Sequence, residues 1–151
     1  MQNKRIYMDV CCLNRPFDNQ SQDRVFLESE SILAVMSHCE RGSWTLTSSD
    51  MIEYELSRLS NASKLRKIKK LCNAAKDRIV STENTKALAR DYQKIGVKIM
   101  DSYHLALCEE NNISVLLTTD DRFIRAAAKI MSRTRVVNPV LWLMEVTTNE
   151  E

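Results

Sequence analysis

Short apolar runs alternate along this chain with longer segments in which apolar residues recur every three or four positions. The short runs, near Tyr7, Leu46, Leu116 and Val136, are typical of strands buried on both faces, and the longer segments predict amphipathic helices. This alternation favours a three-layer α/β/α fold around a central, mostly parallel sheet of about four to five strands. Right-handed crossovers would then place the C-terminal end of every strand along one edge of that sheet.

Turn and cap residues give approximate bounds for these elements. Pro16 predicts a turn after the first strand, and Gly42 and Gly96 predict helix ends. Helices are predicted over residues 21–41, from 48–49 onward, and over 64–78, 83–95, 99–109, from 120–121 onward, and 141–144. After the strand that leads into Asp9, strands are predicted over 43–47, 113–118 and 135–137, and 79–80 is either a short strand or merely extended.

Composition mainly excludes other classes of protein. A chain of 151 residues with 44% apolar and 28% charged residues predicts one folded domain over residues 1–151. The net charge of +2 is too small to indicate a nucleic-acid partner by itself. No run approaches the roughly 20 apolar residues of a membrane span, so we expect a cytoplasmic protein with no membrane partner. The five cysteines have no zinc-like spacing and predict reduced thiols.

Carboxylates follow two of the predicted strands. Asp9 comes directly after the first apolar run, and Asp120 comes shortly after the Leu116 run. A carboxylate at the tip of a buried strand is hydrogen-bonded, metal-bound or energetically costly. Because the tips of parallel strands share one edge, these two side chains are expected to lie near each other.

Two helices offer further acids at the same edge. In the helix after Ser49, Glu55 lies about 60° from the centre of the apolar face and Glu53 about 100°, which favours Glu55 by a modest margin. Asp101 lies in the first turn of another helix, beside its apolar stripe. Any one of these acids has an ordinary explanation as a helix cap or dipole partner. The combination of four predicted at one edge is what indicates a site.

Several short motifs, in order along nearly the whole chain, resemble those of PIN domains, the fold of many bacterial toxin ribonucleases of the VapC type. The matching pieces are Tyr7-Met8-Asp9, Ser49-Asp50-Met51-Ile52-Glu53-Tyr54-Glu55-Leu56, Asp101-Ser102-Tyr103-His104-Leu105-Ala106, Leu117-Thr118-Thr119-Asp120-Asp121-Arg122-Phe123 and Val137-Asn138-Pro139. Each motif is short, and the ordered set carries the resemblance.

The resemblance implies a Mg²⁺- or Mn²⁺-dependent endoribonuclease that hydrolyses RNA phosphodiester bonds. It also raises the expectation of an antitoxin partner and of a homodimer. Four residues, called the site carboxylates below, carry over as catalytic residues and metal ligands: Asp9, Glu55, Asp101 and Asp120. Hard oxygen ligands of this kind suit Mg²⁺ and Mn²⁺.

Four residues are accessory candidates. Thr118 resembles a family hydroxyl that orients the last Asp, although a plain strand-end Thr is an equal alternative. Asp121 is either an accessory acid or a first-turn helix acid, and Glu53 is the alternative to Glu55. PIN domains often carry Ser, Thr or Asn two residues after the first Asp, where this chain has Cys11, and a thiol is a poor partner for a hard Mg²⁺ site. Asn14 is the candidate for the missing polar group.

Basic residues provide candidate phosphate contacts. Arg15, Arg122 and Arg125 lie nearest the proposed site and are candidates for substrate binding. The densest basic run, over residues 64–78, is either a phosphate-binding surface or a solvated helix face. Two other functions stay open. One is a catalytically weak or inactive PIN-like module that binds RNA or protein, which Cys11 favours. The other is a phosphorylated receiver domain. That function requires a Lys after a late strand, and this chain has no suitable Lys there.

Overall fold

The computed structural model describes residues 4–148 as a five-stranded sheet with helices on both faces. All strand pairings are parallel, and the strand order is β3-β2-β1-β4-β5. The strands are β1 (Lys4–Met8), β2 (Trp44–Ser49), β3 (Ala75–Ile79), β4 (Val115–Leu117) and β5 (Arg135–Val137). The helices are α1 (Val10–Asn14), α2 (Asp23–Glu40), α3 (Asp50–Ser57), α4 (Ala62–Cys72), α5 (Glu83–Ile95), α6 (Ile99–Glu110), α7 (Asp121–Ala127) and α8 (Pro139–Thr148), with a 3₁₀ turn at Arg15–Phe17. This arrangement confirms the predicted three-layer α/β/α fold.

Strand β1 lies at the centre of the sheet, and its last three residues are buried. Ile6 is fully buried and is in register with Leu46 of β2 on one side and Val115 of β4 on the other. Met8 is in register with Leu117, so β1 and β4 end at the same level. This register places the residues that follow the two strands side by side, as parallel pairing requires.

Local capping sets where the helices next to that edge begin and end. The Ser49 side chain accepts a hydrogen bond of 3.1 Å from the Ile52 amide and so starts α3 directly at the end of β2. Gly96 ends α5 with a φ of +114°, a left-handed conformation that glycine adopts without a steric penalty. Short connections of this kind hold the helix starts close to the strand ends.

Three boundaries differ from the predicted ones. The predicted helix over 64–78 is wrong in its last part, because α4 ends at Cys72 and Ala75 begins edge strand β3. Asp77 of that strand accepts hydrogen bonds from Arg5 (2.6 Å) and Thr47 (2.9 Å), contacts between distant residues that helical periodicity does not reveal. The segment after Asp9 is a short helix rather than a simple turn, and α8 is longer than predicted. Within residues 4–148, no helix is both long and apolar enough to cross a membrane.

Candidate active site

Asp9 follows β1 directly and is the most buried of the site carboxylates, with 2% of its surface exposed. It caps α1: its Oδ1 accepts a hydrogen bond of 3.1 Å from the Cys12 amide. Its other oxygen, Oδ2, is buried and has no hydrogen-bond partner among the described residues. Burial raises the pKa of this carboxyl to about 7, although the Thr118 hydroxyl and the Cys12 amide lower it. An unpartnered buried carboxylate oxygen is costly unless a proton or a cation neutralises it.

Asp101 lies in the first turn of α6 and is half-buried. Burial raises the pKa of its carboxyl to about 6, the nearby His104 lowers it, and the charges of Asp120 and Glu55 raise it further. The pKa of Asp9 is in turn raised by Asp101. These effects place Asp101 within electrostatic reach of each of the other three site carboxylates.

Asp120 follows β4 and caps α7. Its carboxylate accepts hydrogen bonds from the amides of Arg122 (2.9 Å) and Phe123 (3.4 Å). The buried Thr118 hydroxyl accepts a hydrogen bond of 3.1 Å from the Asp120 amide, and the same hydroxyl lowers the pKa of Asp9. Thr118 therefore contacts the backbone of Asp120 and lowers the pKa of Asp9, at the place where β1 and β4 end.

Glu55 and Glu53 lie on different sides of α3. The Glu55 side chain is 27% exposed and is hydrogen-bonded to Nε2 of the buried His104. The Glu53 side chain is 53% exposed and pairs with Arg78 through two hydrogen bonds of 2.7 and 2.9 Å. The structure thus brings Glu55, and not Glu53, to the other carboxylates. The Arg78 guanidinium lowers the pKa of Glu53, as expected for a solvated ion pair.

His104 belongs to the site, although the sequence alone favours a satisfied helix histidine over a metal ligand at this position. It is fully buried, and its Nδ1 lies 2.5 Å from the Tyr7 hydroxyl, which lies 2.7 Å from Oγ of Ser49. The only signal in the sequence was its spacing of three residues from Asp101 on one helix flank. The contacts to Tyr7 and Ser49 join residues far apart in the chain.

Cys11 lies close enough to the site carboxylates for their charges to change the pKa of its thiol. The residue reaches the surface on α1. Partial burial of the thiol raises its pKa to about 12, and the nearby negative charges contribute further; these come, in decreasing order of effect, from Asp9, Asp101, Asp120 and Glu55. All four site carboxylates therefore raise the pKa of this one thiol. Cys11 stands two residues after Asp9, where the resemblance described above predicts a hydroxyl or an amide.

The residues fit a hard divalent cation in their chemistry. Asp9 Oδ2 is a buried oxygen in need of neutralisation, and the surrounding donors are carboxylates. In the described part of the chain, no three acidic, histidine or cysteine side chains are arranged closely enough to hold a metal ion by themselves. This does not conflict with Mg²⁺, which keeps several waters and is commonly bound through only one or two carboxylates.

Two accessory candidates, Asn14 and Asp121, and one candidate for substrate binding, Arg15, contact side chains other than the site carboxylates. Asn14 has a buried Oδ1 with no partner among the described residues, and its Nδ2 lies 3.5 Å from Asp18. Arg15 is 3.0 Å from the buried Glu28 and 3.2 Å from Asp18, and so faces the α2 side of the molecule. Asp121 pairs with an arginine of α2. Arg15 and Asp121 therefore pair with charged side chains other than the site carboxylates, whereas Asn14 keeps an amide oxygen without a partner among the described residues.

The remaining basic residues fall into two groups. Arg122 and Arg125 are exposed on α7, and neither forms an ion pair within residues 4–148. In the basic run, Lys64 pairs with Asp18 at 3.1 Å, and the Arg78 pair has been described. The other cations on α4 are exposed: Arg66, Lys67, Lys69 and Lys70.

A cleft of about 610 Å³ lies between α3, α4 and β3, and none of the site carboxylates lines it.

Comparisons with known proteins agree with this fold. A crystal structure of PAE2754 from Pyrobaculum aerophilum matches with a TM-score of 0.57 and 15% identity, over 96% of this chain and 90% of that one. At this identity the likeness shows the fold alone. No curated protein matches significantly. A family model described as the PIN domain matches residues 14–129, which is most of the chain. The chain therefore belongs to the PIN-domain family.

Proposed function

We propose that this protein is a metal-dependent endoribonuclease whose catalytic residues are the four site carboxylates. PIN domains are generally nucleases, and the family generally uses divalent metal ions. The observation that carries the proposal is the Asp9 carboxyl, buried with an unpartnered oxygen and within electrostatic reach of Asp101. A buried, unpaired carboxylate destabilises the folded state, and a bound divalent cation would remove that penalty by neutralising the charge.

Each site residue has a role in this proposal. Asp9 and Asp101 would bind Mg²⁺ or Mn²⁺ from β1 and α6, with Glu55 completing the ligand set directly or through water. A bound cation would lower the pKa of a coordinated water and stabilise the charge that develops on the phosphate. Asp120, fixed by the α7 amides, would orient the attacking water. Thr118 would hold the Asp120 backbone, and the exposed Arg122 and Arg125 would contact the RNA phosphates.

The biological setting is a further part of the proposal. The VapC-type resemblance of the motifs supports a toxin whose activity is restrained by a small antitoxin, with a homodimer as the expected assembly and the cytoplasm as the expected site of action. A purified mixture of this protein and the product of a neighbouring reading frame should then form a complex without nuclease activity. Full cleavage by that mixture would instead support a PIN nuclease that acts alone.

The direct test is RNA cleavage by purified protein with Mg²⁺ or Mn²⁺. Asp9→Asn should lower the rate by at least about a hundredfold, because the buried ligand loses its charge. Glu53→Gln is the matched control, because Glu53 lies on the same helix as Glu55 but faces Arg78. Equal cleavage by the wild type and Asp9→Asn would show that a contaminant performs the reaction, and would overturn the proposal.

A second function is favoured by Cys11. A soft thiol at the mouth of a hard-metal site could leave a module that binds RNA but turns it over slowly or not at all. Calorimetric titration with Mn²⁺, together with RNA binding, would separate the two functions. A nuclease binds metal in a manner that depends on Asp9, whereas a module that has lost its site binds RNA without such metal binding.

A further inference from the structure

A buried chain of hydrogen bonds leads from the end of β2 to Glu55. Ser49, Tyr7 and His104 are each fully buried, and they come from β2, β1 and α6. The Tyr7 hydroxyl lies 2.7 Å from Ser49 Oγ and 2.5 Å from His104 Nδ1. His104 Nε2 then contacts the Glu55 carboxylate. Glu55 is the only partly exposed member of this set, with 27% of its side chain exposed.

The donors and acceptors of this chain are consistent with one direction. A carboxylate can only accept, so His104 must carry a proton on Nε2 and donate it to Glu55. When the imidazole is neutral, Nδ1 is an acceptor, and the Tyr7 hydroxyl donates to it. Burial raises the pKa of Tyr7 well above its ordinary value, so the phenol keeps its proton. Its oxygen is left to accept from Ser49, whose own oxygen accepts from the Ile52 amide.

We propose that His104 is a positioning residue that fixes the orientation of the Glu55 carboxylate toward the other site carboxylates and thereby sets the affinity of the site for divalent cations. This inference rests on the proposed function, because it requires that Glu55 serve the metal. The physical reason is that a free glutamate side chain loses rotamer entropy when it is ordered, and a hydrogen bond from a donor held rigidly in the core orders the Glu55 side chain before the metal binds. Hydrogen-bond partners of ligating side chains typically change metal affinity by about 10–100-fold.

A merely structural role for His104 makes a different forecast. In that case the network would stabilise the fold by satisfying buried polar groups, and its loss would change stability without a specific effect on metal binding. Two substitutions separate the roles. His104→Gln keeps an amide donor near the position of Nε2, so it can still bind Glu55. His104→Asn keeps a polar group only near the position of Nδ1, on the Tyr7 side.

The test is the Mn²⁺ affinity of the full chain, measured by calorimetry below the lowest melting temperature of the set. We expect His104→Gln to stay within about threefold of the wild type and His104→Asn to bind about 10–100-fold more weakly. Tyr7→Phe removes one hydroxyl and keeps the ring, and should weaken binding by severalfold. Thr134→Val is the matched control, because it deletes a buried hydrogen bond (2.7 Å, to Ile113) outside the site. It should lower the melting temperature and leave the Mn²⁺ affinity unchanged.

The outcomes distinguish this inference from the proposed function. If Asp9→Asn and Glu55→Gln both bind Mn²⁺ as tightly as the wild type, the metal site itself is wrong. If Asp9→Asn weakens binding but the two His104 variants do not differ, the positioning role is overturned. Equal losses in both His104 variants, in proportion to their melting temperatures, assign the residue a structural role. If His104→Asn does not fold, Tyr7→Phe decides, since unchanged Mn²⁺ affinity in that variant contradicts the proposal.

Discussion

Arg24 of α2 donates two hydrogen bonds, each of 2.8 Å, to the carboxylate of Asp121 at the start of α7. Its Nε lies 3.1 Å from the buried Glu28, and its guanidinium also reaches the carbonyl oxygen of Thr119 at 3.5 Å. Arg24 therefore ties the long helix α2 to the loop that carries Asp120. The bidentate pairing with Asp121 accounts for that acid without a role in metal binding.

Substitutions at Asp121 and Arg24 should separate the contributions of the exposed Arg24–Asp121 contact and the buried Arg24–Glu28 contact to the free energy of unfolding. The Arg24 and Asp121 side chains are 53% and 49% exposed, so Asp121→Asn should cost only about 0.5 kcal/mol of unfolding free energy. Arg24→Ala also removes a partner of the buried Glu28 and should cost about 1–2 kcal/mol. Urea unfolding measures both. Equal costs for the two variants would show that the contact to Glu28 contributes nothing.

Glu28 is the centre of a larger buried network. Its carboxylate lies 3.0 Å from Arg15 and 3.1 Å from Arg24, and it accepts a hydrogen bond of 2.6 Å from Asn138. Glu28→Gln keeps the shape and removes the charge, which leaves the arginines without their partner. We expect a loss of about 3 kcal/mol of unfolding free energy, against less than about 0.5 kcal/mol for the exposed control Glu30→Gln. Similar values for the two variants in urea unfolding would contradict this account.

The buried Asp9 carboxyl should make stability depend on pH. Burial raises its pKa from 3.8 to about 7, so between about pH 4 and pH 7 the folded state holds a proton that the unfolded state has lost. The unfolding free energy should therefore fall as the pH rises through this window and level off above it, by on the order of 4 kcal/mol. Asp101, with a pKa of about 6, adds a smaller change of the same sign. Denaturant unfolding at several pH values measures the slope.

Two comparisons assign that slope to Asp9. Asp9→Asn should flatten it, because an amide does not titrate. Millimolar Mg²⁺ should restore stability to the wild type above pH 7, where the carboxylate is ionised, and should have little effect on Asp9→Asn. An unchanged slope in Asp9→Asn would mean that other groups are responsible, and would remove the electrostatic argument for this site.

Cys11 should react slowly with alkylating reagents although it reaches the surface. A thiol pKa of about 12 instead of 9.0 lowers the fraction of reactive thiolate by about a thousandfold. Addition of Mg²⁺ should accelerate the reaction with iodoacetamide, because a cation offsets the negative charges around the thiol. Mass spectrometry of the labelled peptide measures the rate, and Cys11→Ser is the blank. Labelling as fast as in the unfolded chain, with no effect of Mg²⁺, would place the thiol outside the field of the acids.

Much of the fold follows from local features. The apolar runs and the helices between them predict the parallel α/β sheet, and parallel pairing by itself predicts that Asp9 and Asp120 lie at the same edge of that sheet. Helical periodicity favours Glu55 over Glu53, and the structure places Glu55 on the inner side of α3. These features are legible because burial imposes a period on the sequence, whichever residues eventually make contact.

The contacts that organise the site have no such period. Ser49, Tyr7 and His104 meet across 42 and 97 positions of sequence, and Arg24 and Asp121 meet across 97. Residues 75–78 of strand β3 are likewise predicted as helix from the sequence, because β3 pairs with β2 across about 30 positions of the chain. A hydrogen bond requires only that two suitable atoms come within about 3 Å in the folded chain, and no local pattern records this. Periodicity thus established the layers and the edge of the sheet where the acids lie, whereas the packing of distant segments determined which side chains hold them there.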